Sequence, residues 1–275
     1  MRRGAKKIRL TEPATERPRT VGIFCGGSIG AHHTRGALSL AVVRGRAAGW
    51  IALAVLAGVV GFWGAILVAA ALEPGYANRR DYVSTLAAHG AAHAGLAIAG
   101  IVAVASALVA ASVLVRGVSR LAAIALAVAG AGFLVAAFTR LECPNGAAGC
   151  GLGGRFELAG STEIGHWTAT TVSSILVIAG MVLTGVASIR LGRRVAGVAT
   201  LATAVVTGGA FLATGGDQPG TMQRVGIAAA TAWLAAVAVL TLVRARGRSA
   251  PMRTYVRADG TDDLARRPRR VLRLR

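Results

Sequence analysis

Charged residues are scarce in this sequence. Only 15% of its 275 residues are Asp, Glu, Lys or Arg, whereas 54% are hydrophobic and the mean hydropathy is +0.60. This composition is too apolar for an ordinary soluble domain of that length and indicates a membrane protein. A set of buried core helices in a large soluble protein is the alternative, but the apolar runs carry no polar stripe and little sequence is left to cover them.

Six stretches lack charge for long enough to cross about 30 Å of hydrocarbon, which takes roughly 18 or more residues in a helix. They are 50–72, 91–115, 121–138, 167–189, 195–212 and 225–243. No proline interrupts any of them midway. Because backbone polar groups in lipid must be paired within their own segment, we expect an all-α fold, a six-helix transmembrane bundle.

Acidic residues are also few: 11 against 31 Lys and Arg, for a net charge of +20. The basic residues concentrate before the first span, in the turns RGVSR and RLGRR, and after residue 244. Because positive residues stay on the cytoplasmic side, both termini are predicted to be cytoplasmic, in a bacterial plasma membrane. Attraction to anionic lipid explains the basic ends better than nucleic acid, which we do not expect as a partner.

The spans and the charge divide the chain into three parts. Residues 1–48 are predicted to be a disordered basic cytoplasmic arm, because their one short apolar run, ALSLAVV, is too brief to span a membrane. Residues 49–243 form the transmembrane domain, and residues 244–275 form a basic cytoplasmic tail.

With only three cysteines, the chain has too few thiols for a typical thiolate metal site. Cys25 falls in the basic arm. Cys143 and Cys150 lie in the loop LECPNGAAGCG, which the charge distribution places outside the cytoplasm, where a disulfide between them can form and persist.

Polar side chains gather in the three loops predicted to face the exterior. If residues 81–95, DYVSTLAAHGAAHAG, are helical throughout, Asp81, Thr85, His89 and His93 share one face. His166, at the start of the fourth span, would then complete a zinc site with His89 and His93. The other reading is that the two histidines serve interfacial packing. No cofactor is expected on that reading.

The loops also contain two basic candidates, Arg140 and Arg224. Arg140 and Arg224 could pair with acids such as Glu142 and hold the loops together, or they could recognise an anionic group such as a lipid phosphate. The candidate extracytoplasmic site therefore combines residues from all three loops, namely Asp81, Ser84, Arg140, Glu142, His166, Gln223 and Arg224.

The segments RDYVSTLAAHGA, RLECPNGAAGCG and GTMQR, together with His166, resemble a bacterial membrane family known as domain of unknown function 998, common in actinobacteria. The resemblance covers about residues 50–243 and implies a six-span membrane protein without an established activity. Its pattern highlights Asp81, Ser84, Leu86, Cys143, Pro144, His166, Gln223 and Arg224, but not His89 or His93.

The sequence leaves the activity open, and whether the protein is an enzyme is uncertain. The first hypothesis is a membrane protein that binds a lipid headgroup, a small ligand or a protein partner at its exterior face. The second is a lipid hydrolase, in which Ser84 or zinc-bound water attacks and a histidine is the base. A transporter is less favoured, because no charged residue lies in the middle of a span.

Overall fold

The computed structural model of the chain describes residues 33–142 and 161–249. The chain divides into two compact units, Met1–Ser39 and Leu40–Arg275. Of the first unit only residues 33–39 are described, and they are helical. The second unit contains the bundle, and every contact discussed below lies within it.

The described residues form six α-helices and two short 3₁₀ helices, with no strand among them. All six α-helices contain a segment long and apolar enough to cross a membrane, which confirms the predicted all-α transmembrane bundle. The α-helices are α1 (His33–Leu72), α2 (Ala94–Val115), α3 (Arg120–Phe138), α4 (Ser161–Arg190), α5 (Arg194–Leu212) and α6 (Pro219–Ser249). The 3₁₀ helices are Val83–Ala87, here named the inner turn, and Ala213–Gly215.

Consecutive helices pack side by side, and α6 returns to contact α1 and α2. Small residues permit this close packing, as is usual where helices associate in lipid. A Cβ on Gly58 of α1 would lie 2.6 Å from the carbonyl oxygen of Ala103 on α2. Large apolar side chains such as Val60 and Val205, which are 70% and 74% exposed, cover the outer surface where lipid would lie.

The two ends of the bundle have different connections. At the short-turn end, residues 116–119 join α2 to α3 and residues 191–193 join α4 to α5. Ser119 caps α3 by accepting from the Ala122 N–H at 3.2 Å, and Gly192, with φ +77°, lets the chain leave α4. At the long-loop end lie the connections from α1 to α2, from α3 to α4 and from α5 to α6.

Three helix starts differ from those expected. Helix α1 begins at His33, so the helix already includes residues 33–48, which we predicted to be disordered; residues 1–32 lie outside the described chain. Helix α4 begins by Ser161 and α6 at Pro219, which places His166, Gln223 and Arg224 inside helices rather than just before them. An apolar run marks the hydrocarbon-crossing part of a helix but not the polar turns that extend it.

Candidate functional site

The connection from α1 to α2 folds into the bundle instead of lying over its end. Val83, Leu86 and Ala87 of the inner turn, and Ala88 after it, are at most 3% exposed. They pack with apolar residues of α1, α2 and α3 such as Ile66. This connection therefore places backbone that is not α-helical at the long-loop end, and its N–H and C=O groups need hydrogen-bond partners.

Residues 81–95 are not helical throughout, so the condition for a shared helical face is not met. The inner turn occupies 83–87, and α2 begins only at Ala94. Gly90 has φ +84°, which a right-handed helix does not allow. Asp81, Thr85, His89 and His93 consequently do not share a helical face. Side chains from α6 and from Arg140, just after α3, supply hydrogen bonds that a continuous helix would have made internally.

Arg224 of α6 supplies several of these hydrogen bonds. Its Nη1 donates to the carbonyl oxygens of Asn78 at 2.6 Å, Gly220 at 2.9 Å and Asp81 at 3.1 Å. Its Nη2 donates to the Tyr76 hydroxyl, and its guanidinium lies 5.4 Å from the centre of the Tyr76 ring. Gly220 allows this approach, because a Cβ there would lie 2.6 Å from the Asn78 oxygen.

Gln223 and Arg140 hold the two ends of the inner turn. The Oε1 atom of Gln223 accepts from the Val83 N–H at 2.6 Å. From beyond the end of α3, Arg140 donates through Nε to the carbonyl of Ala87 at 2.8 Å and through Nη2 to that of Ala88 at 2.7 Å. Both side chains thus pair backbone groups of the inner turn.

Asp81 is fully buried and also serves the local backbone. Its Oδ2 accepts from the Ala77 N–H at 2.7 Å, and its Oδ1 accepts from Arg80 Nε at 2.9 Å. This hydrogen bond to Asp81 raises the pKa of the exposed Arg80. Burial raises the pKa of Tyr76 to about 12, against the opposing effect of Arg224. The Tyr76 hydroxyl is therefore neutral at pH 7 and donates to the Tyr82 carbonyl at 3.2 Å.

A cavity of about 110 Å³ lies beneath the inner turn, between the helices. All six helices contribute to its walls, which are mostly apolar and include Phe62, Ile101, Leu108, Phe133 and Leu234. Three polar residues also line it: Ser84 of the inner turn, His166 of α4 and Gln223 of α6. Three different elements therefore contribute polar residues to one mostly apolar cavity.

His166 is the largest polar side chain in the buried interior, at 1% exposed. Its Nδ1 contacts the carbonyl oxygens of Ala136 at 2.9 Å and Thr139 at 2.7 Å. Carbonyls only accept, so Nδ1 carries the hydrogen and Nε2 of the neutral ring is an acceptor. Nε2 is buried and has no hydrogen-bond partner among the described residues.

The remaining predicted site residues do not join this cluster. Glu142 and His89 are exposed, and His93 stands at the start of α2, where the Glu73 carboxylate accepts from its backbone N–H at 3.3 Å. No three His, Cys, Asp or Glu residues within 33–142 and 161–249 are close enough to share a metal ion, so His89, His93 and His166 are not assembled as a zinc site. Cys143 and Cys150 lie outside the described residues, and their disulfide stays a prediction.

The sequence also contains a signal for the cavity that the charge-based reasoning missed. Thr170 and Ser174 follow His166 at intervals of four, and all three line the cavity. Residues four apart share a helix face, so this polar stripe on an otherwise apolar span could have indicated an internal space in the bundle.

The fold and site define a polytopic membrane protein with a mostly apolar cavity between its helices, lined in part by a buried 3₁₀ turn. Residues 56–240 match the model of a family described as protein of unknown function (DUF998), and the chain belongs to that family. Searches of curated proteins and of solved structures return no match. The resemblance seen in the sequence is thereby confirmed, and the family description carries no activity.

Proposed function

We propose that this protein binds a small, mostly apolar ligand, or the end of one lipid chain, in the cavity beneath the inner turn. The observation that carries the proposal is the cavity itself, to which every helix of the bundle and the inner turn contribute. Ligand pockets in proteins are typically apolar clefts with a few placed polar groups, and this cavity has that composition.

The contacts favour this reading over recognition of a lipid phosphate by Arg140 and Arg224. Both guanidinium groups donate to backbone carbonyls of the α1–α2 connection, at 2.6–3.1 Å. A phosphate bound there would compete with carbonyls that are costly to leave unpaired. In this proposal Arg140 holds the inner turn, Arg224 holds residues 76–81 before it, and neither arginine touches the ligand.

Filling the cavity with a larger side chain tests ligand binding directly. Ala230 lines the cavity and Ala228, on the same helix, is exposed on the outside. We expect Ala230→Phe to abolish the lipid or small molecule that native mass spectrometry detects on the purified protein. Ala228→Phe is the matched control and should retain it. If Ala230→Phe retains the same ligand at the same occupancy, ligand binding in this cavity is excluded.

The orientation belongs to the same proposal. The Lys and Arg distribution favours cytoplasmic termini in a bacterial plasma membrane, with the long-loop end outside. Basic segments near the termini would then meet anionic lipid. A fluorescent protein fused to the C-terminus should fluoresce, and a secreted phosphatase fused there should be inactive. An active phosphatase fusion would contradict the predicted orientation but would leave the cavity proposal unaffected.

One observation favours a hydrolase as the second candidate. Ser84 and His166 line the same cavity, and the hydrogen bonds of Nδ1 orient the ring so that Nε2 could act as a base. An active serine would be labelled by a fluorophosphonate probe, and Ser84→Ala would remove the label. Absence of Ser84 labelling, in protein that retains its ligand, would exclude the hydrolase and leave the binding proposal intact.

A further inference from the structure

His166, which lines the cavity, carries an acceptor that none of the described residues satisfies. His166 Nε2 is buried, and no donor of the described chain reaches it. Leaving a buried acceptor unpaired costs free energy, so such an atom in a native fold needs an explanation. A donor carried by a bound ligand provides one, because His166 lines the cavity.

The neighbouring side chains can complete the recognition of such a donor group. The Oε1 atom of Gln223 is occupied by the Val83 N–H, which leaves its NH₂ group as a donor. Ser84 offers a hydroxyl, which both donates and accepts. A ligand group that donates to His166 and accepts from Gln223 or Ser84 matches this arrangement, and a hydroxyl does both.

The cavity walls select against a charged group. No Asp, Glu, Lys or Arg of the described residues lines the cavity. The nearest guanidinium groups considered above, Arg140 and Arg224, donate to backbone carbonyls instead. A phosphate, carboxylate or ammonium head would be buried without a counter-charge, which is strongly unfavourable.

We propose that the cavity recognises an uncharged amphiphile with a hydroxyl head, whose O–H donates to Nε2 of His166 while its apolar part contacts Phe62, Leu108 and Leu234. This inference rests on the proposed function, because it assigns the head-group chemistry of the ligand bound there. The hydroxyl could belong to a membrane lipid or to a small alcohol, and the experiment below separates these sources.

A pair of photoreactive probes tests the head group without any mutation. A diazirine-bearing hexanol and its methyl ether differ only in the O–H, since the ether oxygen accepts but cannot donate. With wild-type protein in liposomes, we expect the alcohol to label cavity residues about tenfold more than the ether, the ratio for one hydrogen bond worth about 1.4 kcal/mol. Peptide mass spectrometry locates the label.

Variants then assign the preference to one atom. His166→Phe removes the acceptor and should reduce labelling by the alcohol to the level of the ether, whereas His166→Gln keeps an acceptor and should retain part of the preference. Equal labelling by both probes in wild-type protein would overturn the hydroxyl inference but keep the binding proposal. If neither probe labels the cavity of the wild-type protein, the binding proposal itself is contradicted.

Mass spectrometry before probe addition identifies the source of the hydroxyl. A hydroxyl-headed lipid that survives purification, and that the hexanol probe displaces, indicates the membrane as the source. Protein that is empty after dialysis yet labels with the alcohol preference indicates a small alcohol from water. Retention of a lipid with only a charged head in the cavity would overturn the inference.

Discussion

The backbone groups at the two ends of the bundle find their hydrogen-bond partners in different ways. At the short-turn end the chain reverses within residues 116–119 and 191–193, and nearby backbone groups and the Ser119 cap satisfy the helix ends. At the long-loop end, residues 83–88 are buried in the bundle, and side chains distant in sequence pair backbone groups of residues 78–88. The comparison shows that side chains distant in sequence pair backbone groups at the end where the connection is irregular and partly buried.

This difference changes how the polar residues of the long-loop end should be interpreted. Arg224, Arg140 and Asp81 look like a binding or catalytic set in the sequence, but each is engaged with backbone groups. Irregular backbone inside a membrane bundle is stable only when such partners are present. The residues that face the cavity, Ser84 and His166, form a smaller set with a different role.

The largest expected effect comes from Arg224. Arg224→Ala removes the donors to the carbonyl oxygens of Asn78 and Asp81 and the contact with Tyr76. We expect the free energy of unfolding in detergent to fall by about 3 kcal/mol, because several hydrogen bonds to a charged group are lost together. Arg194→Ala, exposed near the short-turn end, is the matched control and should change it by less than about 0.5 kcal/mol.

Equal stability of the Arg224 and Arg194 variants would contradict the proposed difference between the two ends of the bundle. Ligand retention by the Arg224 variant provides a second test. Because Arg224 holds residues 76–81 and does not line the cavity, loss of ligand in Arg224→Ala should parallel the loss of stability. Ligand loss without any destabilisation would instead place Arg224 in direct contact with the ligand.

A smaller effect is expected from glycine at the two ends. Gly220→Ala places a Cβ 2.6 Å from the Asn78 oxygen, so the inner connection must move away from α6. Overpacking of this kind costs about 1–3 kcal/mol. Gly117→Ala, in the short turn after α2, has no atom within 4 Å of the added Cβ and should be close to neutral. Thermal unfolding of both variants provides the measurement, and similar melting temperatures would contradict the close approach.

The smallest effect concerns pH. Because the pKa of Tyr76 is raised from 10.0 to about 12, its folded form binds the proton more tightly than its unfolded form does. The stability that Tyr76 contributes is therefore present below pH 10 and is lost as the pH rises from 10 to 12. Unfolding measured across this interval should show a decline that Tyr76→Phe reduces. An unchanged pH profile in Tyr76→Phe would show that the decline arises at another group.

Much of the fold was predictable because membrane spans are a local property. A run such as 121–138 indicates a helix from its own residues, and the observed α3 differs from it by a single residue at the start. The helical face considered for residues 81–95 is absent because the structure there depends on distant residues. Hydrogen bonds from Gln223 and Arg140 stabilise the inner turn instead. Those partners lie 140 and 53 residues away from Val83 and Ala87.

The site was predictable only in part for the same reason. Sequence reasoning selected Asp81, Ser84, His166, Gln223 and Arg224, and the structure gathers them at the long-loop end. It did not separate the residues that pair backbone groups from those that line the cavity. That separation depends on which way each side chain points once the helices have packed, and spacing along one helix does not contain this information.

By itself, the sequence determined that the protein is a six-helix membrane bundle with its basic residues mainly at one set of connections, because hydrocarbon requires long uncharged helices wherever the chain crosses it. Only the tertiary structure decided that residues 83–88 are buried as a turn, that Gln223 and Arg140 hold it, and that Nε2 of the cavity-lining His166 has no partner among the described residues. Those features arise from hydrogen bonds and packing between distant segments, which exist only after the helices have come together.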